Sequence, residues 1–385
     1  MNREGGNGFM KRILSFVTAF CLLCSVCIAE EVNASEDKYM SMDEAVSYAL
    51  SHNSSIIDLE RTSKDQKEVY DDAKDDYRKW QNKIRSGGYS YEDENEYLTC
   101  WGHMLEVSKL QYDSFLSGLE GAKLQVEYSV KNMIYSIFEL EDTIELLTKT
   151  IEKQENDVQI SEVKFSLNMI TKTELESAKS TLETSRLQLE TIKKNLESLK
   201  ISLKQVMGID VSGELLLERP KYIASELTVE DLDKTIENSL STNSSVLSSK
   251  MQYKQKENQY ILATKTSFML KDDKKKAKDN FSDAEFRLNN DINSVKENLR
   301  ILYNQVKDKE NEIKIASEEL ERAKVQFEQA KVMYEVGLIS KNSYLGSDLA
   351  LMNAESTYKT KIKEGNLLND RFSIAIKVGD VIGKL

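Results

Sequence analysis

Few residues in this chain are of a type and spacing that could do chemistry. The only two histidines, His52 and His103, stand far apart and lack the short spacing of paired metal ligands. Cys100 precedes Trp101 and has no evident activating base, so it reads as an incidental thiol rather than a nucleophile. Asp71, Asp72, Asp75 and Asp76 lie on a helical stretch beside Tyr70 and Tyr77. They read as a solvated face, with a weak cation site as the alternative. There is no glycine-rich phosphate loop, so any transport energy has to come from a partner. No catalytic residue, metal site or cofactor is expected, and the chain is not expected to be an enzyme. The net charge of −12 disfavours nucleic acid, whose phosphates call for a basic stripe.

What remains are two short apolar stretches where solvent is expected. The first lies in KFSLNMITKTELESA, Lys164 to Ala178; the second in EQAKVMYEVGLISKNSYLGSD, Glu328 to Asp348. Gly337 suits a left-handed residue just past a helix end, and Asn168, at the matching place, is the next-best type for it. Ser340 suits an N-cap, and Thr171 with Glu174 fits a capping box. The candidate partner-binding residues are therefore Asn168, Met169, Ile170 and Thr171 at one tip, and Gly337, Leu338, Ile339 and Ser340 at the other. Exposed apolar groups of this kind mark partner surfaces.

The elements that hold these tips out are legible as heptads. The seam into the second tip runs Leu299, Leu302, Val306, Ile313, Ala316, Leu320, Ala323, Phe327, Ala330, Tyr334, and resumes through Tyr344, Ser347, Leu351, Ala354 and Tyr358. The seam into the first runs Met133, Ile137, Leu140, Ile144, Leu147, Ile151, Val158, Ser161, Phe165, and returns through Leu175, Ala178, Leu182, Ser185, Leu189, Ile192, Leu196, Leu199, Leu203 and Val206. This is the period of a coiled-coil seam, and the seams read as packing. A single proline, Pro220, and abundant Lys and Glu fit long helices. The expectation is an all-α chain of two long antiparallel helical hairpins with at most short strands.

Lys11 and Arg12 precede an apolar run from Ile13 to Ile28, and Val32-Asn33-Ala34 offers a cleavage site, with Cys27-Ile28-Ala29 as a second choice. Residues 1–34 read as a secretory signal peptide, with an uncleaved anchor as the alternative. Only Cys100 follows, so no internal disulfide is expected.

The second half echoes the first. Leu227 to Leu232 matches the start at Met40 to Ala45, Asn243-Ser244-Ser245 matches Asn53-Ser54-Ser55, the tips match, and Val378-Gly379 matches Met207-Gly208. Residues 35–208 and 228–385 read as two repeats joined by a linker at 209–227, in which Gly213 to Pro220 suits a short strand or an extended crossing.

These marks together resemble the TolC-like outer-membrane efflux family. They are a Ser-x-x-Glu-Ala helix start before an Asn-Ser corner (Ser41 to Ser55), the tip Tyr-x-x-Gly-apolar-Ile-Ser (Tyr334 to Ser340), and the duplication. The resemblance covers the chain after the signal segment. It implies a homotrimer in which each protomer gives four helical tracks to a hollow α-barrel. It also implies an adaptor protein docking at the tips and an inner-membrane transporter as the energy source.

Two departures matter. Family members carry membrane strands between the first and second helices of each half, and each spanning strand needs about 9–11 residues of alternating character. Ile84 to Cys100 and Ala263 to Asn280 hold those places here. The second contains Lys271-Asp272-Asp273-Lys274-Lys275-Lys276, and the first has no alternating apolar face. The membrane barrel is therefore expected to be absent or vestigial, with polar connections in its place. Some relatives also have acidic side chains just past the second tip; Ser343 and Gly346 stand there, so no acidic gate carries over. The sequence thus points to an exported transport component of the cell envelope. It would sit at the outer membrane or periplasm of a diderm cell, or at the wall or surface of a monoderm one. A non-conducting exported coiled-coil scaffold or regulator is the alternative.

Overall fold

The computed structural model describes residues 39–87, 102–212, 215–265 and 270–382. The signal segment, Cys100-Trp101 and most of the 84–100 connection lie outside the described residues. The chain runs β1 (Tyr39–Met40), α1 (Met42–His52), α2 (Ser54–Arg85), α3 (Gly102–Ser166), α4 (Lys172–Met207), β2 (Leu216–Leu217), α5 (Leu232–Ser239), α6 (Ser244–Lys265), α7 (Lys271–Glu335) and α8 (Lys341–Val378). The all-α class holds. The two-residue strands pair in parallel, Tyr39 with Leu216 and Met40 with Leu217, and β2 falls in the stretch expected to be extended.

Local chemistry sets the helix boundaries. Ser41 caps α1 in a full capping box with Glu44. Asn53 ends α1 and starts α2, its Oδ1 accepting from the N–H groups of Ser55 and Ile56 while its Nδ2 donates to the Val206 carbonyl at 2.9 Å. Asn243 caps α6 in the same way through Ser245 and Val246. Each corner therefore turns on one asparagine.

The long helices are held by seams. α3 and α7 are 65 residues each, about 98 Å at the α-helical rise. Near its start α3 lies beside α2, where Tyr70 stacks on Tyr112 and Lys123 pairs with Glu60. Further on it lies beside α4. There Val130, Ile134, Ile137, Leu196, Leu203 and Met207 share one core with Ala45, Val46 and Ala49 of α1, and Ile151, Val158 and Leu182 form another. α7 behaves alike: Phe281 packs against Tyr253 and Tyr260 of α6, and Leu299, Leu302 and Val306 pack with Phe372 and Ala375 of α8. Ile137, Ile151, Val158, Leu182, Leu196, Leu203, Leu299, Leu302, Val306, Ile313 and Leu320 are buried as the heptads predict, whereas Phe165 and Tyr334 at the tip ends of the seams stand exposed, and Val130, Ile134, Phe138 and Leu345 are buried outside the expected seams.

α3 also lies against α8, and α6 against both α3 and α7. The helices thus form one layer in the order α4–α3–α8–α7 on the tip side and α2–α3–α6–α7 on the other. Its edges are α4, α2 and the outer face of α7.

One expectation fails. The Lys/Asp run at 271–276 opens α7 as helix rather than serving as a polar connection. Asp272 and Asp273 sit in the first turn, where the helix dipole favours negative charge, and lysine is a good helix former on an exposed face. The connection proper is residues 266–270.

Candidate functional site: the hairpin tips

Both tips have one geometry. Asn168 and Gly337 hold φ of +55° and +74°. Asn168 is the only non-glycine residue with positive φ among the described residues. Its N–H donates to the Phe165 carbonyl and the Met169 N–H to Lys164; Gly337 donates to Tyr334 and Leu338 to Met333. These are the paired bonds of a Schellman motif, which satisfies carbonyls that a helix end leaves open. Thr171 then caps α4 in a capping box with Glu174, and Ser340 caps α8 by accepting from the Ser343 N–H at 3.1 Å. Hydrogen bonds from the Thr171 N–H and hydroxyl hold the Glu174 carboxyl below its usual range.

The apolar residues divide in a way their types do not reveal. Met169 and Leu338 are about 70% exposed. Ile170 and Ile339, expected to be exposed as well, are half-buried. Each immediately precedes an N-cap, with Leu175 or Tyr344 at the fourth helical position, which is the spacing of a hydrophobic staple. The exposed apolar surface instead extends to Val163, Leu167, Val332, Met333 and Val336. Their signal in the sequence is their heptad phase, which faces away from the seam. The second tip is stiffened by Tyr344, stacked on Tyr334 at 4.9 Å and packed against Phe327.

The other candidates do not join the tips. His52 stacks on Tyr48 at the α1 corner, and its Nδ1 sits 2.8 Å from the Ser51 hydroxyl. His103 lies in α3, near its start. Asp75 and Asp76 make exposed pairs with Arg78 and Lys79 on α2. Ser343 serves the α8 cap, and Gly346 has open space around it.

Between the hairpins runs a polar joint that composition did not reveal. Lys131 of α3 meets Asp370 of α8, Glu139 meets Thr360 and Lys363, Asp142 meets Lys359, Lys149 meets Asp348, Glu152 meets Lys341 and Asp157 meets Asn342. The linker straps across it: Arg219 pairs with Asp142, and burial beside Asp142 pushes the Tyr222 hydroxyl up to about 12.

A layer of long helical hairpins with capped, outward-held tips is the architecture of a TolC-type α-barrel protomer, and the chain has the fold of the TolC-family outer-membrane channels. It is similar to the outer membrane protein VceC of Vibrio cholerae at 11% identity and a TM-score of 0.57, covering 88% of this chain and 96% of that one. The CmeC outer membrane channel of Campylobacter jejuni matches at 14% identity and a TM-score of 0.58, over 93% and 95%. The MtrE outer membrane channel of Neisseria gonorrhoeae, in its open state, matches at 12% and 0.59, over 88% and 89%. No protein-family model matches the sequence, and neither does any curated protein.

Proposed function

We propose that the protein is an exported component of an envelope transport system. Several copies, three by resemblance, close into a helical duct whose tips dock an adaptor protein and, through it, an inner-membrane transporter. The observation that carries this reading is the open layer. A row of helices whose two edges, α4 and α7, carry exposed Leu187, Ile201, Ile301 and Ile315 leaves apolar surface uncovered in a single chain. Edges of unlike kind meet head to tail, and head-to-tail contacts generate closed rings when the rotation closes. We read the chain as two copies of one unit, which gives such a ring twice as many like hairpins as chains. The tips, with Met169, Leu338, Leu167 and Val336 exposed, supply the partner surface.

Light scattering on the exported chain tests the reading. A discrete closed oligomer is the expected result; a monomer at micromolar concentration would leave the scaffold reading ahead. Docking is tested by Met169→Asp and Leu338→Asp, which should keep helicity and oligomer mass while losing capture of the co-expressed adaptor.

A further inference from the structure

The corners that begin α2 and α6 start alike and close differently. Asn53 and Asn243 each cap a helix through Oδ1, which accepts from the N–H groups two and three residues on. That role fixes the orientation of the amide and leaves Nδ2 to find an acceptor elsewhere. At the first corner Nδ2 donates to the Val206 carbonyl at 2.9 Å. At the second, Asn243 is 2% exposed and its Nδ2 has no acceptor among the described residues. A cavity of about 230 Å³ opens there instead, with Asn243, Ser244, Asn298 and Asp380 in its wall. The ends of α4 and α8 account for the difference. Gly208 is left-handed, at φ 71° and ψ 25°, and the Ile209 N–H turns back to the Lys204 carbonyl. Gly379 has φ 102° and ψ 162°, so the chain leaves α8 extended and brings Asp380 and Val381 into the cavity wall.

The wall has two polar ends and an apolar side. The first turn of α6, at Ser244 and Ser245, brings the positive end of a helix dipole and N–H groups with no carbonyl partner inside the helix. The last turn of α8, at Ala375 and Gly379, brings the negative end of another, and Asp380 adds a carboxylate beside it. Val295, Leu299, Leu302 and Val381 supply the apolar surface. We propose that this cavity binds a small zwitterion, a free α-amino acid with a short apolar side chain. Its carboxylate accepts from Asn243 Nδ2 and the start of α6, its ammonium faces Asp380 and the end of α8, and its side chain lies on Leu299 and Leu302.

A carboxylate alone would meet Asp380, and an amine alone would meet the Asn243 donor and the start of α6. A zwitterion satisfies both ends. Asp380 accepts from Arg371 through both oxygens, at 3.0 and 2.6 Å, which holds it in place and leaves lone pairs for an ammonium. The volume is several times the roughly 30 Å³ that one water occupies in the liquid, so there is room for more than a bridging water. The walls are seated within one chain. The Ser117 hydroxyl of α3 donates to the Thr242 carbonyl at 2.7 Å, and Val381 lies so close to Gly121 of α3 that a Cβ there would come within 3.3 Å of it. The site therefore does not rest on the ring reading.

The test is calorimetric titration of the full chain with L-valine. L-alanine and L-leucine vary the side chain, and isobutyrate and isobutylamine each remove one charge. L-valine should bind, and isobutyrate and isobutylamine should bind about tenfold more weakly or worse, each having lost a charge-assisted contact. Saturating L-valine should raise the unfolding temperature. Asn243→Asp keeps the cap oxygen but removes the donor and sets a like charge against the ligand carboxylate. Ser244→Pro removes the first N–H at a helix position that tolerates proline. Each should weaken L-valine binding about tenfold or more with helical circular dichroism unchanged, while Asn53→Asp, at the closed corner, should bind as the parent does. If the folded parent binds none of the three amino acids below about 10 mM, the cavity holds water alone and the proposal falls, whatever the variants do. Isobutyrate binding as tightly as L-valine, or unchanged affinity in both corner variants, overturns it as well.

Discussion

At the scale of single residues, the left-handed glycines separate two costs that sequence cannot tell apart. Gly337 has φ +74° and open space where a side chain would start, so Gly337→Ala meets only the conformational penalty, about 1 kcal/mol. Gly208 has φ +71°, but a Cβ there would lie 2.6 Å from the backbone oxygen of His52. Gly208→Ala adds a steric clash at a corner that cannot give way, and should cost about 2–4 kcal/mol. Urea midpoints of the two variants measure the difference; equal shifts would refute it. Asn168 and Gly337 were legible because a left-handed position selects its residue type locally. The approach of Gly208 to His52 was not, since it spans more than 150 residues of chain. Nor was the half-burial of Ile170 and Ile339, which is decided by what lies under the tip rather than by the isoleucine itself.

At the scale of elements, the seams and the joint hold the layer by different forces. Leu203 is fully buried in the α1–α3–α4 core, and Leu203→Ala should cost roughly 3 kcal/mol with little dependence on salt. Asp142 is only 13% exposed in its side chain and accepts from both Arg219 and Lys359. Asp142→Ala leaves two cations side by side and should cost about 2 kcal/mol, while Arg61→Ala, in an exposed pair with Asp58, should cost less than about 0.5. Thermal melts at low and high salt read both effects. Acid acts on the same kind of contact. A hydrogen bond from Lys309, and another from Lys361, hold the Glu312 carboxyl below the ordinary 4.5. The stability it contributes is present above that value and is lost as pH falls through its lowered range. Glu312→Gln should therefore lower stability slightly near neutrality and flatten the acid limb of the stability curve, so that variant and parent converge at low pH. The seams could be read from sequence because apolar residues recur with a period. The joint could not, because Glu139 and Asp142 look like any other acids on a charged helix until α8 is placed beside them.

At the scale of the whole molecule, the question is what the end away from the tips does. α6 ends at Lys265 and α7 begins at Lys271, leaving five residues between them; the first half leaves sixteen, between Arg85 and Gly102. One pair of membrane-spanning strands takes about 20 residues before any turn. The shorter connection therefore cannot hold such a pair, and among the described residues the only strands are β1 and β2. No helix among them is long and apolar enough to cross a membrane. The extra length of the first half is shared between the two: α2 has 32 residues against 22 in α6, and its connection has sixteen against five. Under the duct reading proposed above, this end is expected to face water. The chain lacking residues 1–34 should accordingly purify in detergent-free buffer with its helical circular dichroism intact. Limited proteolysis should cut within 86–101 and 266–270 before any seam. Aggregation without detergent, together with protection of both connections in detergent, would mean that this end is buried in lipid after all.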